Sequence, residues 1–301
     1  MGKLQRQSGV GFRIQIILFS NLLIDQFHRY FPDLYQFFFN EIEARGVENT
    51  IREYFPRLLQ GIVGAAFHTV LHLGYGLSFH GHPHSDVAIA EGLAYLTYRY
   101  NELPEIPKEI VSPNPPQGLC DCLAIVSKVR NNPILFNAFR DEVNASLGYN
   151  DAATYVARNH GENLKNIVLD WKYMHNFPET ESERKSYLDA AVSELVDASL
   201  RIYLFTNPLA QDFFLLHGVT ATYAILQVLK QLSDFEAQLR LLQFAFMGIL
   251  MNYVINCCPD VREREFEVPP NLDSWEKITE KVTTGDPQEV VRVFLKLLLL
   301  F

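Results

Sequence analysis

Apolar residues recur at intervals of three and four along most of this 301-residue chain, and that spacing places them on one face of an α-helix. The segment PDLYQFFFNEIEARG shows the pattern clearly, because Pro32 stands at its start and Gly46 follows its charged end. We find no convincing run of alternating apolar and polar residues, which a half-buried strand would show. The sequence therefore predicts an all-α fold.

Helix boundaries follow from the same pattern. The run GAAFHTVLHLGYGL, residues 64–77, is expected to continue as one helix to about Phe79. Ser85 is expected to cap the next helix. Five prolines in residues 101–118 predict a long loop, which is either a linker between domains or a lid or extended wrap on one body. We predict a single large multi-helix domain over residues 30–301, enclosing a central cavity.

Residues 1–29 form an uncertain N-terminal apolar segment. Basic residues precede the run IQIILFSNLLI, as in a secretory signal, but no small-residue cleavage site follows. The run is about 11 residues long, which is too short to span a bilayer. The segment is therefore a helix or strand of the folded body, a targeting segment, or the result of an inaccurate gene start.

The composition argues against several classes of protein. The formal net charge is −9 and no block of lysine and arginine offsets it locally, so the chain lacks the basic surface typical of nucleic-acid binding. The four cysteines stand in adjacent or next-but-one pairs, which are poor partners for intrachain disulfides, and they predict a reducing, cytoplasmic compartment. Aromatic residues make up 13 % of the chain and suit a deep core or a pocket for flat ligands.

Two histidines four residues apart are the first candidates for chemistry. On a helix, His68 and His72 point to the same side, which is the geometry that two imidazoles need to share one metal ion. Thr69 stands where a zinc protease has its glutamate, so that class of enzyme is excluded. The alternative is that both histidines are core residues whose ring nitrogens bond to backbone groups.

The remaining motifs are weaker. His217 lies in the apolar helix FFLLHGVTATYAI and becomes a ligand only if it converges with the first pair. The loop HGHPHS and the cysteines of CDC lack the spacing or the rigid support of a metal site. No glycine-rich fingerprint of a Rossmann fold is present, so redox chemistry needs a metal or a cofactor bound in another way.

Several of these segments together resemble the questin oxidase-like family. The run GAAFHTVLHLGYGL carries the most specific likeness, with AEGLAYLTY after it and FFLLHGVTATYAI much later. Supporting likenesses are YQFFFNEIEARG, REYFPRLLQG, and the segment from SWEKI through VVRV. In order along the chain, they cover roughly residues 30–295. Fungal members are described as Baeyer–Villiger-type oxidases of anthraquinones, and some as non-haem iron oxygenases.

The resemblance implies an oxidoreductase, a monooxygenase that uses O₂ to oxidise a hydrophobic, polyketide-like ketone. For His68, His72 and His217, which stand at family histidine positions, it implies iron ligation or orientation of the oxidant and substrate. Glu289, which stands where the family tends to show a histidine, offers a carboxylate as a further metal ligand. Tyr75 is the predicted catalytic side chain lining the pocket. Iron is the expected cofactor, and NADPH is a candidate reductant without a visible binding motif. The expected partner is a small hydrophobic substrate, with no nucleic acid and no membrane span.

The chain also departs from the family pattern. An N-terminal helix with an Asn-His-x-x-His-His pattern is missing, and Glu289-Val290-Val291-Arg292 stands where the family tends to show His-Val-x-Lys. An arginine cannot replace a lysine that acts through a neutral or modified amine. The alternative reading is therefore an inactive or truncated member that serves as a helical binding or interaction module. The oligomeric state stays open.

Overall fold

The computed structural model describes residues 30–107, 119–206, 213–261 and 280. Every regular element within those residues is helical, so the predicted all-α fold is confirmed. The eleven α-helices are α1 (Phe31–Arg45), α2 (Val47–Leu58), α3 (His68–Ser78), α4 (Ser85–Tyr98), α5 (Cys122–Asn131), α6 (Pro133–Asn137), α7 (Glu142–Ala145), α8 (Tyr149–Val168), α9 (Glu181–Thr206), α10 (Phe213–Leu229) and α11 (Phe235–Ile255).

The chain divides into two compact units, Met1–Asp260 and Val261–Phe301. All eleven helices belong to the first unit. Of the second unit, the structure describes Val261 and Glu280. The single domain over residues 30–301 and its central cavity therefore stay predictions, and the N-terminal segment 1–29 lies outside the described residues.

Helix α11 forms much of the core. Asp234 caps its start by accepting a hydrogen bond from the Ala237 amide, and every residue of 241–254 is buried. It packs against α5, α8, α9 and α10, which explains why it is apolar on all sides. Among the described helices, α11 is the one long and apolar enough to cross a membrane, and 83 % of that stretch is buried inside the protein, as in a core helix.

Helix α3 lies between α4 and α10, and glycines allow both contacts. A Cβ atom on Gly74 would lie 2.4 Å from the Cα of Ala224 in α10. A Cβ atom on Gly76 would lie 3.0 Å from the backbone nitrogen of Ile89 in α4. The two glycines of the predicted motif thus serve close helix packing, one on each side of α3.

Two helix starts differ from the sequence-based expectation. Helix α3 begins at His68, so the prediction of one helix through residues 64–77 is wrong at its start. The backbone turns left-handed before His68, and a right-handed helix cannot continue through such residues. Helix α4 begins at Ser85, but its N-cap is His84 with a φ of 68° and no capping side-chain bond. Ser85 is therefore the first helical residue and not the cap.

The first part of the proline-rich loop wraps the helical body. Leu103 and Ile106 are fully buried. The Leu103 amide donates to the Gln60 carbonyl, and the Gln60 side chain donates back to the Leu103 carbonyl. These contacts fit an extended wrap on one body better than a linker between domains for residues 101–107. Residues 108–118 lie outside the described residues.

Candidate active site

Two of the predicted histidines meet across the interface between α3 and α10. The Nε2 atoms of His68 and His217 are 3.1 Å apart, although 149 residues separate the two in sequence. The rings stand edge to face, with 4.7 Å between their centroids. His217 is 5 % exposed, whereas His68 belongs to the exposed residues. The pair therefore joins a buried imidazole to one that solutes can reach.

The protonation of His217 follows from its second nitrogen. Its Nδ1 lies 2.6 Å from the Phe213 carbonyl oxygen, which can only accept, so Nδ1 carries the proton. In the neutral ring, Nε2 then presents a lone pair to His68. His68 completes the contact as the donor through its own Nε2 proton. The backbone of α10 thus fixes both the tautomer and the orientation of His217.

Burial and charge also act on His68. Partial burial lowers the pKa of His68 below its ordinary value of 6.5, and the charge that His217 would carry lowers it further. Both causes disfavour the imidazolium form. His68 is therefore a neutral imidazole at neutral pH, able to bind a metal ion or accept a proton.

A strained turn presents His68 at the first position of α3. Ala65, Ala66 and Phe67 have φ angles of 51°, 56° and 66°, in the left-handed region that costs non-glycine residues about 1–2 kcal/mol each. The side chain of Asn150 in α8 holds the turn by accepting a hydrogen bond from the Ala65 amide at 2.9 Å. Phe67 anchors it, since its side chain is fully buried. Strain of this kind concentrates at functional sites.

His72 does not join the histidine pair. Its Nε2 lies 3.3 Å from the Glu91 carboxylate in α4, and its ring faces Tyr95 with 6.4 Å between centroids. These residues line a groove of about 410 Å³ together with Phe31, Pro32 and Tyr98. Within the described residues, no group of three or more histidine, cysteine or carboxylate side chains is arranged to hold a metal ion. Two of the three predicted histidines come together, and the third has a different neighbour.

For Tyr75, the structure records a different neighbour from the histidine pair. Tyr75 is 42 % exposed, and its ring lies 6.1 Å from that of Tyr223 in α10. Burial of the hydroxyl raises the pKa of Tyr75, and Tyr223 raises it further. Glu289 lies outside the described residues. The catalytic role of Tyr75 and the ligand role of Glu289 stay predictions.

Sequence reasoning missed the residues that support the pair. Phe213 and Phe214 flank His217, with ring centroids 4.4 and 6.3 Å from the imidazole. The Tyr149 ring stacks on that of Phe214 at 5.4 Å and 17°. The Asn252 amide donates to the Phe214 carbonyl at 2.6 Å. Only the phenylalanines carried a signal, as the aromatic start of an apolar helix, whereas Tyr149 and Asn252 come from distant helices.

The sequence matches the model of a known protein family. The family model described as Questin oxidase-like matches residues 21–293, which is most of the chain. No curated protein matches the sequence. The matched range includes both histidines of the pair and the left-handed turn before His68.

Proposed function

The chain belongs to the questin oxidase-like family, and we propose that it is an oxidoreductase that uses O₂ to oxidise a hydrophobic, aromatic polyketide-like ketone. A Baeyer–Villiger-type reaction inserts one oxygen atom beside the carbonyl group and reduces the other to water. That balance needs two electrons, for which we propose NADPH as the reductant.

The observation that carries this proposal is the contact between His68 and His217. Buried or half-buried polar groups at a helix interface are usually satisfied by backbone, whereas here two imidazoles face each other at 3.1 Å. The strained turn before His68 and the carbonyl behind His217 fix both rings. An imidazole in a fixed orientation beside a second imidazole that solutes can reach is what metal binding or proton transfer requires.

Non-haem iron is the proposed cofactor, with His68 and His217 as two of its ligands. Two nitrogen ligands that each lie about 2.1 Å from one ion are about 3.0–3.4 Å apart, and the Nε2 atoms match that separation at 3.1 Å. To bind iron through Nε2, His68 would carry its proton on Nδ1 instead. The donation from Nδ1 of His217 to a carbonyl is the usual support of a ligand histidine. Bound iron would supply the activation of O₂.

The described residues supply two ligands, and non-haem iron generally takes about three from the protein. His72 faces Glu91 instead of the pair. We propose that a residue beyond the described ranges completes the set, with Glu289 as the candidate that the sequence offers.

Oxygen uptake by the purified full chain tests the proposed reaction. The chain is supplied with ferrous iron, NADPH and a series of anthraquinone-type ketones, and uptake should require the ketone. His68→Ala and His217→Ala should each abolish uptake, because each removes one member of the pair. His72→Ala is the matched control on the same helix and should retain oxygen uptake.

Two results would contradict the proposal. Uptake that survives in His68→Ala and His217→Ala would place the chemistry elsewhere. No uptake by the unmodified chain, with no bound metal, would favour the alternative of an inactive member that acts as a helical binding module.

A further inference from the structure

One buried polar group near the histidine pair lacks a partner. The hydroxyl oxygen of Tyr149 is inaccessible to solvent and has no hydrogen-bond partner in the part of the chain that the structure describes. Other tyrosines of the same unit are bonded: Tyr54 donates to Glu41, Tyr187 to the His175 carbonyl, and Tyr253 to the Pro259 carbonyl. An unsatisfied buried hydroxyl destabilises a fold, so one that persists calls for an explanation.

Tyr149 is tied to both segments that deliver the histidines. Its ring stacks on Phe214, three residues before His217 in α10. The side chain of the next residue, Asn150, accepts a hydrogen bond from the amide of Ala65, which is three residues before His68. Tyr149 is also the first residue of α8, so its position is fixed by a helix and not by a loop.

The chemistry of the hydroxyl restricts what it binds. Burial raises the pKa of Tyr149 above its ordinary value, so the phenol stays protonated at neutral pH and cannot serve as a base. A neutral phenol donates one hydrogen bond, so a ligand that pairs with Tyr149 must offer an acceptor atom. The rings of Phe213 and Phe214 lie on the side toward His217 and favour a flat, apolar molecule.

We propose that Tyr149 is the hydrogen-bond donor for the carbonyl oxygen of the substrate. The inference rests on the proposed oxidation of an aromatic ketone and names the side chain that orients it. Because the hydroxyl is covered in the ligand-free fold, the ligand must displace the side chains that cover it. The carbonyl oxygen then accepts the hydrogen bond of Tyr149, and the aromatic body of the ligand lies against the phenylalanines before His217. Tyr149 thereby distinguishes a ketone from the corresponding hydrocarbon, because only the ketone offers an acceptor to a donor that the free protein leaves unpaired.

A matched pair of ligands tests this role. Anthraquinone-2-sulfonate and anthracene-2-sulfonate carry the same charge and similar rings, but only the first has carbonyl groups. Calorimetric titration of the full chain should show tighter binding of the quinone. Tyr149→Phe should reduce quinone affinity by about tenfold, the size expected for one hydrogen bond, and leave anthracene binding unchanged or improved.

The outcomes separate the two proposals. If the unmodified chain does not prefer the quinone, the aromatic-ketone substrate itself is contradicted. If the unmodified chain prefers the quinone and Tyr149→Phe retains that preference, only the role of Tyr149 is overturned.

Thermal unfolding separates a ligand-binding role of the Tyr149 hydroxyl from a structural one. A structural role predicts that Tyr149→Phe has a lower unfolding temperature than the parent chain. Tyr149→Phe removes an unpaired hydroxyl, so its unfolding temperature should equal or exceed that of the parent chain. Tyr253→Phe is the control, since it removes a hydroxyl that donates to Pro259, and it should lower the unfolding temperature while preserving quinone preference. A clear loss of stability in Tyr149→Phe would show that the hydroxyl has a partner within the fold and would refute the inference.

Discussion

Replacing Gly74 by alanine tests whether close packing of α3 on α10 sets the histidine contact. The added Cβ would lie 2.4 Å from both the Cα and the Cβ of Ala224. Carbon atoms in ordinary contact are about 3.5–4.0 Å apart, so the two helices must separate locally by about 1 Å or more. Overpacking of this kind costs about 1–3 kcal/mol, and the higher helix preference of alanine returns about 1 kcal/mol.

We therefore expect Gly74→Ala to lower the free energy of unfolding by up to about 2 kcal/mol. The same displacement would move the Nε2 atoms of His68 and His217 from 3.1 Å to beyond hydrogen-bonding distance. Urea unfolding followed by circular dichroism measures the first effect, and oxygen uptake measures the second.

Gly218 supplies the matched control for this substitution. It lies in α10 beside His217, but a Cβ there would meet nothing closer than the Ile249 side chain at 3.9 Å, which is ordinary contact. Gly218→Ala should therefore keep or raise stability, by up to about 1 kcal/mol from helix preference. A gain in stability in Gly74→Ala as large as that in Gly218→Ala would refute the packing argument.

Two further predictions concern the segment around His68. Ala65→Gly removes the Cβ from a left-handed residue with a φ of 51°, so it should stabilise the fold by about 0.5–1 kcal/mol in urea unfolding; a loss of stability, as in an ordinary Ala→Gly exchange, would argue against strain. The lowered pKa of His68 means that the folded chain binds this proton less tightly than the unfolded chain. The stability that neutral His68 contributes is present above the ordinary pKa of 6.5 and is lost as the pH falls through the lower folded-state pKa. His68→Gln should therefore flatten the dependence of unfolding temperature on pH below about 6.5, and an unchanged slope would contradict the shift.

The sequence predicts the helices of this fold better than it predicts their starts. Spacing of apolar residues indicates where a helix lies, because burial of one face is a local pattern. The left-handed turn at Ala65–Phe67 has no such signal, since alanine and phenylalanine favour the right-handed helix. The turn depends on Asn150, a contact 85 residues away in sequence.

In the candidate site, too, the local sequence pattern predicts the helices but not the contacts between them. His68 and His72 are four residues apart, and that spacing left open a shared metal ion or two histidines in the core. Helix α3 instead has a neighbour on each side, so His68 meets α10 and His72 meets α4. The pairing of His68 with His217 follows from the packing of α3 on α10, which the residue spacing within either helix does not encode.

Ferrous iron binding under anaerobic conditions tests the proposed centre most directly. The account predicts that the full chain binds about one iron per molecule, that His68→Ala and His217→Ala each lose it, and that His72→Ala keeps it. Iron retained in both His68→Ala and His217→Ala, or lost in His72→Ala alone, would contradict the assignment of His68 and His217 as the metal-binding pair.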